Sequence, residues 1–179
     1  MMEFSIIRSR RKTLTIELTP RGEILVRAPN LMPKRDIQRF VESRQSWIET
    51  HLARIPKAEP MTEAEHEALI RAAKEILPQK AAFFAESLGV TFGRVTVRSQ
   101  HTRWGSCSAA GNLSFNCLLM LTPEDVQDYV VVHELCHRRE MNHSPRFWAM
   151  VEETLPDYRR QRLWLKENGA ALMARLPQP

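Results

Sequence analysis

The stretch "VVVHELCHRREMNHSPRFW", residues 130 to 148, places three of the chain's six histidines at positions 133, 137 and 143, with Glu134 directly after the first. Two imidazoles four residues apart on a helix stand one turn apart and can reach a single ion at about 2.0 to 2.1 Å, which makes H-x-x-x-H a zinc-binding spacing. His143 lies six residues past His137, so at about 100° per residue a continuing helix would turn it roughly 120° away from that face. It can join the pair only if the helix stops first. Asn142 tolerates the left-handed conformation that ends helices, and Ser144 with Pro145 supplies the cap and first residue of a new one. Three neutral histidines leave one Zn2+ ion its full charge and one position open to water, whose pKa then falls toward about 7. Glu134 is the expected proton acceptor from that water and hence the expected catalytic residue. Cys136 is a competing thiolate ligand, but the histidine pair already uses the helical spacing, so Cys136 is read as a packing residue.

The helix that must carry these groups starts at Thr122, followed by Pro123, Glu124 and Asp125: a hydroxyl cap, a proline at the first position, and acids at the positive end of the dipole. It is expected to run through His137, with Val126, Tyr129 and Val130 packing beneath His133 and His137. Upstream, "VTFGRVTVRS" and "GNLSFNCLLML" read as strands joined by the loop "QHTRWGSCSAA". A long helix is expected from Thr62 to about Leu88, with Pro78 able to kink it and Gly89 to end it. The first thirty residues alternate as a small antiparallel β-meander, "EFSIIRS", "KTLTIELT" and "EILVRAP", with "PRG" between the last two. One helix should follow from Pro33 to about Arg54, and "IPKAEPMT" is the candidate linker. Strands and helices are segregated rather than alternating, which argues for α+β.

The chain has 179 residues, 43% of them apolar, enough for one core or one core and a small appendage. The expected division is a single domain comprising residues 1–56 and a metal-site core at 62–169. Charge follows the short apolar start at once, and no later run approaches bilayer length, so a cytoplasmic protein without a membrane span is expected. Cys107, Cys117 and Cys136 form no even framework and no C-x-x-C pair, which argues against disulfides and a cysteine-only zinc cage. The net charge of +5 permits attraction to nucleotides, nucleic acid or acidic substrates without requiring it. The basic clusters, among them Arg159, Arg160 and Arg162, read as solvated surface.

The stretches "TRWGSCSAAGNLSFN" (102 to 116), "DYVVVHELCHRREMNHSPRFW" (128 to 148) and "LPDYRRQRLWL" (155 to 165), with "FVESRQSWI" earlier, resemble the YgjP-like metallopeptidase family, related to the SprT-like zincins. The resemblance implies a zincin-like core: an antiparallel edge strand above the H-E-x-x-H helix, His133, His137 and His143 as zinc ligands, and Glu134 as acid and base. The 1, 5, 11 spacing is also similar to the metzincin signature, but Glu140 stands where that pattern has glycine.

In "TRWGSCS", Arg103 could stabilise an oxyanion or hold a phosphate, and Gly105 permits close backbone approach; the alternative is a tight turn with a core tryptophan. The resemblance favours the cleft, so Arg103, Trp104, Ser106 and Asn116 are the candidate substrate-binding residues, and His101 is read as a loop residue nearby. If "NLSFN" is the edge strand, an extended peptide could add to it by backbone hydrogen bonds. Phe147, Trp148, Tyr158 and Trp164 are read as structural.

The leading expectation is a zinc-dependent peptidase acting on a peptide or unfolded protein. The runner-up is a nucleotide pyrophosphatase or other phosphohydrolase, although no P-loop pattern is present. A non-enzymatic module in which zinc is structural and nucleic acid is the partner is the third, and no motif supports it.

Overall fold

The computed structural model describes residues 2–19, 22–53 and 59–177, which form two compact units, 1–59 and 60–179. Residues 55–58 of the expected linker, and Pro20 and Arg21 of the expected "PRG" turn, lie outside the described residues.

In the first unit, β1 (Ser5–Ser9), β2 (Thr15–Leu18) and β3 (Ile24–Pro29) form a sheet ordered β1-β3-β2. It is not the expected antiparallel meander: β3 is central, antiparallel to β2 and parallel to β1. The centre goes to the strand whose alternate residues, Ile24, Val26 and Ala28, are all buried, while β1 is largely exposed. Arg8 fastens that pairing by donating from Nη1 to the carbonyl oxygens of Pro29, Asn30 and Met32. The single helix expected from Pro33 to Arg54 is two, α1 (Lys34–Ser43) and α2 (Gln45–Leu52), separated at Arg44. Ser43 Oγ donates to the Phe40 carbonyl at 2.7 Å just before the break, a local bond that competes with the helix ladder. Ile37, Val41 and Ile48 complete this unit's core against β3.

The second unit begins with α3 (Glu63–Leu88), held at its start by a reciprocal capping box between Thr62 and Glu65 and ended by Gly89 at φ +60°. Its sheet contains β4 (Val95–Arg98), β5 (Gly105–Cys107) and β6 (Leu113–Asn116) in the order β4-β6-β5. Here too the expectation is corrected. "NLSFN" is the central strand, parallel to β4 and antiparallel to β5, so the sheet is mixed and its edges are β4 and β5, the latter in a segment that the sequence presents as loop. Three residues are too few to show a strand period, and Gly105 and Ser106 carry little β preference. "CLLML" is likewise a 3-10 turn at 117–121 rather than a continuation of the strand.

Helix α4 (Glu124–Cys136) packs against α3, β5, α5 (Pro145–Thr154) and α6 (Tyr158–Ala174). Val126, Tyr129, Val130, Val131, Val132, Leu135 and Cys136 are all buried, as required of a helix covered on every side. The helix start differs in detail from the sequence reading. Pro123 precedes the first turn and Thr122 does not cap it; its hydroxyl donates back to the Leu119 carbonyl at 2.8 Å. The α+β class holds, with β5 lying over α4. Among the described residues no helix is long and apolar enough to cross a membrane.

Candidate metal centre

His133 lies in the last turn of α4 and His137 at its C-terminal cap position. Beyond it, the amides of Arg138 and Arg139 bond to Leu135 and Cys136, and Glu140 N also bonds to Cys136 O, so the helix tightens and unwinds within one turn. The expected left-handed Asn142 is absent, since no non-glycine residue among those described has a positive φ. The chain turns back all the same. Ser144 Oγ accepts from Phe147 N at 3.2 Å and starts α5 with Pro145 in its first turn, leaving His143 just ahead of the new helix.

The result is a triad of rings. His133, His137 and His143 have centroids 5.0, 4.9 and 4.9 Å apart, and their candidate ligand nitrogens all lie within 4.8 Å of one another. Phe147, fully buried, touches all three rings at 4.9, 4.6 and 4.8 Å and forms the floor on which they rest. Trp148 stacks on His143 at 5.7 Å, and Tyr158 stacks on Trp148 at 5.3 Å. Phe147 and Trp148 thus contact the rings of the triad directly, and Tyr158 backs Trp148.

The donor chemistry fits a cation. His137 Nδ1 is 3.0 Å from the Glu140 carbonyl oxygen, which can only accept, so the proton sits on Nδ1 and the lone pair on Nε2. His133 Nε2 and His143 Nε2 face each other at 3.0 Å, close to the roughly 3.3 Å between nitrogens sharing a tetrahedral ion at about 2.0 to 2.1 Å. Burial, together with the neighbouring histidines, pushes the pKa of His133 down to about 3, and His143 is lowered by the same causes. His133 is therefore neutral at ordinary pH, as a ligand must be. Cys136 is fully buried and its thiol is pushed up to about 12 by burial, which keeps it protonated and consistent with packing.

Glu134 is buried beside the triad, and burial raises its carboxyl to about 8 against the opposing pull of Arg103. The β5 backbone passes directly over it: a methyl group added at Gly105 would lie 2.7 Å from both Cγ and Oε1 of Glu134. The glycine read as permitting close approach is thus the position where strand and carboxylate meet.

The four candidate substrate residues separate. Arg103 is exposed and acts on Glu134 through its charge, while Ser106 lies on β5, paired with Ser114 of β6. Trp104 is half-buried and packs against Gly169 of α6. Asn116 does not face a cleft. It is 2% exposed, donating from Nδ2 to the carbonyls of Gln100 and Arg103 and accepting at Oδ1 from Leu118 N, so its amide is used up in holding the loop before β5. His101 is outside the histidine triad.

Two residues near the centre were not legible as such. Arg162 of α6 lies over the Trp148 ring at 4.7 Å, and its charge reaches His133, His143 and Tyr129. In the sequence Phe147 stands as an ordinary core residue. The available signals were the i, i+4 spacing of Tyr158 and Arg162, which share one face of α6, and the position of Phe147 three residues after a helix cap.

A family model described as "YgjP-like, metallopeptidase domain" matches residues 12–69 and 62–168. No curated protein matches. Among solved structures, the metallopeptidase zymogen of Pyrococcus abyssi abylysin is similar at 21% identity and a TM-score of 0.46, covering 51% of this chain and 94% of its own. The zymogen of Methanocaldococcus jannaschii jannalysin is similar at 16% identity and 0.47, with 51% and 95% covered.

Proposed function

On the premise that the chain belongs to the YgjP-like metallopeptidase family, we propose that it is a zinc-dependent peptidase in which His133, His137 and His143 hold one ion and Glu134 moves the proton. The observation that carries this reading is the juxtaposition of three mutually facing imidazoles with one buried carboxylate under the free edge of β5. Bound there, zinc would polarise a carbonyl and lower the pKa of a water molecule.

The chain's own contribution begins with Glu134. Burial raises its carboxyl to about 8, and a dication held by the triad would favour the ionised form, in which Glu134 is the proton acceptor of the site. It can then pass that proton toward the leaving amine, and the close passage of the β5 backbone at Gly105 limits where its side chain can lie. The edge of β5 offers backbone groups to an extended peptide, which supports broad recognition of unfolded chains. Arg103 biases the carboxylate by its charge and is available to a developing oxyanion.

The test is hydrolysis of a disordered protein by the zinc-loaded chain and by Glu134→Gln. The variant is expected to keep its zinc and lose about 10²- to 10⁴-fold in rate. Equal cleavage by both would remove Glu134 from its role. A parallel panel of nucleoside triphosphates addresses phosphohydrolysis, for which phosphate release above a metal-stripped control would be required. The basic surplus that motivated that alternative does not lie in the unit carrying the site. Residues 60–179 contain fourteen Lys and Arg against fourteen Asp and Glu, whereas 1–59 contain twelve against seven.

A further inference from the structure

Three arginines lie close together on α6, and they are not equivalent. Arg159 pairs with Glu152 and Arg160 with Asp125. Arg162 has no carboxylate partner among the described residues; it lies instead over the Trp148 ring, which stacks in turn on His143 and Tyr158. A guanidinium stacked on an aromatic face is fixed in orientation while the edge of its fork stays free for a planar anion. The two separations, 4.7 Å from guanidinium to Trp148 and 5.7 Å from Trp148 to His143, limit how far the cation can be from the triad. The span amounts to no more than about three extended residues at roughly 3.5 Å each. The charge of Arg162 also registers at Tyr129 and His133 on α4 and at His143 in the loop before α5.

From this stacked, unpaired guanidinium beside the histidine triad, we propose that Arg162 forms a subsite for a carboxylate on the substrate, placed within about three residues of the bond that is cut. The inference rests on the peptidase reading and adds a substrate class to it: peptides with an Asp or Glu, or a free C-terminus, at that point. Both sources present the same planar anion, for which the guanidinium offers two parallel N–H donors. Trp148 and Tyr158 position Arg162 and do not themselves need to touch substrate. Arg162 itself binds and orients; it is assigned no part in proton transfer.

The experiment uses the zinc-loaded full chain and matched peptides that differ near one scissile bond: Glu, Gln, a terminal carboxylate, or a terminal amide. The parent is expected to prefer the acidic member of each pair in kcat/KM by ten- to a hundredfold, the range of a charge-assisted bidentate contact, expressed mainly in KM. In Arg162→Gln the ratio of acidic to neutral peptide should fall to near unity. Arg162→Lys, which keeps the charge but loses the fork, should be intermediate, and Arg159→Gln should keep the parental ratio. The Glu/Gln and acid/amide pairs distinguish a side-chain carboxylate from a terminal one. Affinity of the Glu peptide for Glu134→Gln, measured by calorimetry, should drop about tenfold on adding Arg162→Gln. Equal rates on acidic and neutral peptides in the parent, or an equal loss on both in Arg162→Gln, would overturn the proposal while leaving the peptidase reading intact. If no peptide is cut by the parent, both fall together.

Discussion

Glu134 and Gly105 meet at a contact that sets the strictest requirement on the site. Any side chain at 105 must displace the carboxylate, because even a methyl group would stand 2.7 Å from its Oε1. Gly105→Ala is therefore expected to lower kcat at least tenfold, the cost of a displacement of a fraction of an ångström, while zinc content stays at one equivalent; steady-state kinetics with elemental analysis checks both. The same burial governs pH dependence in the metal-free protein. His133 is held near about 3 against an ordinary 6.5, so between those values the unfolded chain binds a proton that the folded one does not, and stability falls as pH drops. Glu134 is held near about 8 against 4.5, so the folded chain keeps a proton that the unfolded one has lost, and stability falls as pH rises from 4.5 to 8. Each slope is at most about 1.4 kcal/mol per pH unit. The two oppose one another between 4.5 and 6.5, so the melting temperature of chelated protein should be flat there and decline on either side. Glu134→Gln should lose the alkaline decline, and an unchanged alkaline limb would exclude this account.

At the scale of elements, the site depends on where one helix stops and the next starts. Ser144 caps α5 directly after His143, and Phe147 in the first turn supports all three imidazoles. Loss of the cap in Ser144→Ala should cost about 1 kcal/mol of stability and weaken zinc binding several-fold, because His143 precedes the first fixed residue of α5. Phe147→Leu, which keeps an apolar floor of smaller area, is expected to cost about 1 to 3 kcal/mol and to loosen zinc binding further than Ser144→Ala. Competition with a chromogenic chelator, alongside thermal unfolding, separates the affinity effect from the stability effect. The helix that carries His133 is legible because a thirteen-residue apolar segment led by Pro123, Glu124 and Asp125 leaves few alternatives. β5 is not. Three residues with small side chains form a strand only because β6 gives their backbone a partner, a pairing recorded nowhere in local pattern.

At the scale of the molecule, the two units have separate apolar cores, one around β3 with α1 and α2 and one around α3, α4 and the β4-β6-β5 sheet. Every residue assigned to the site belongs to the second unit, whose chain end returns to its start where Met61 N bonds to Arg175 O. A chain of residues 60–179 is accordingly expected to fold cooperatively and to bind one equivalent of zinc. A denaturation curve and a metal titration test this, and a fragment that stays unfolded in zinc would show that the first unit is needed.

The residues that could ligate a metal, the carboxylate beside them and the α+β class were determined by the sequence, since ligand type, helical spacing and capping chemistry act over a few residues. Whether His143 turns toward the pair, that Asn116 is consumed inside the protein, that β5 and not "NLSFN" forms an edge, and that Arg162 stands over Trp148 were decided by tertiary structure. Each of those depends on groups far apart in the chain competing for the same hydrogen bonds or ring faces, and that competition has no outcome until the core has closed.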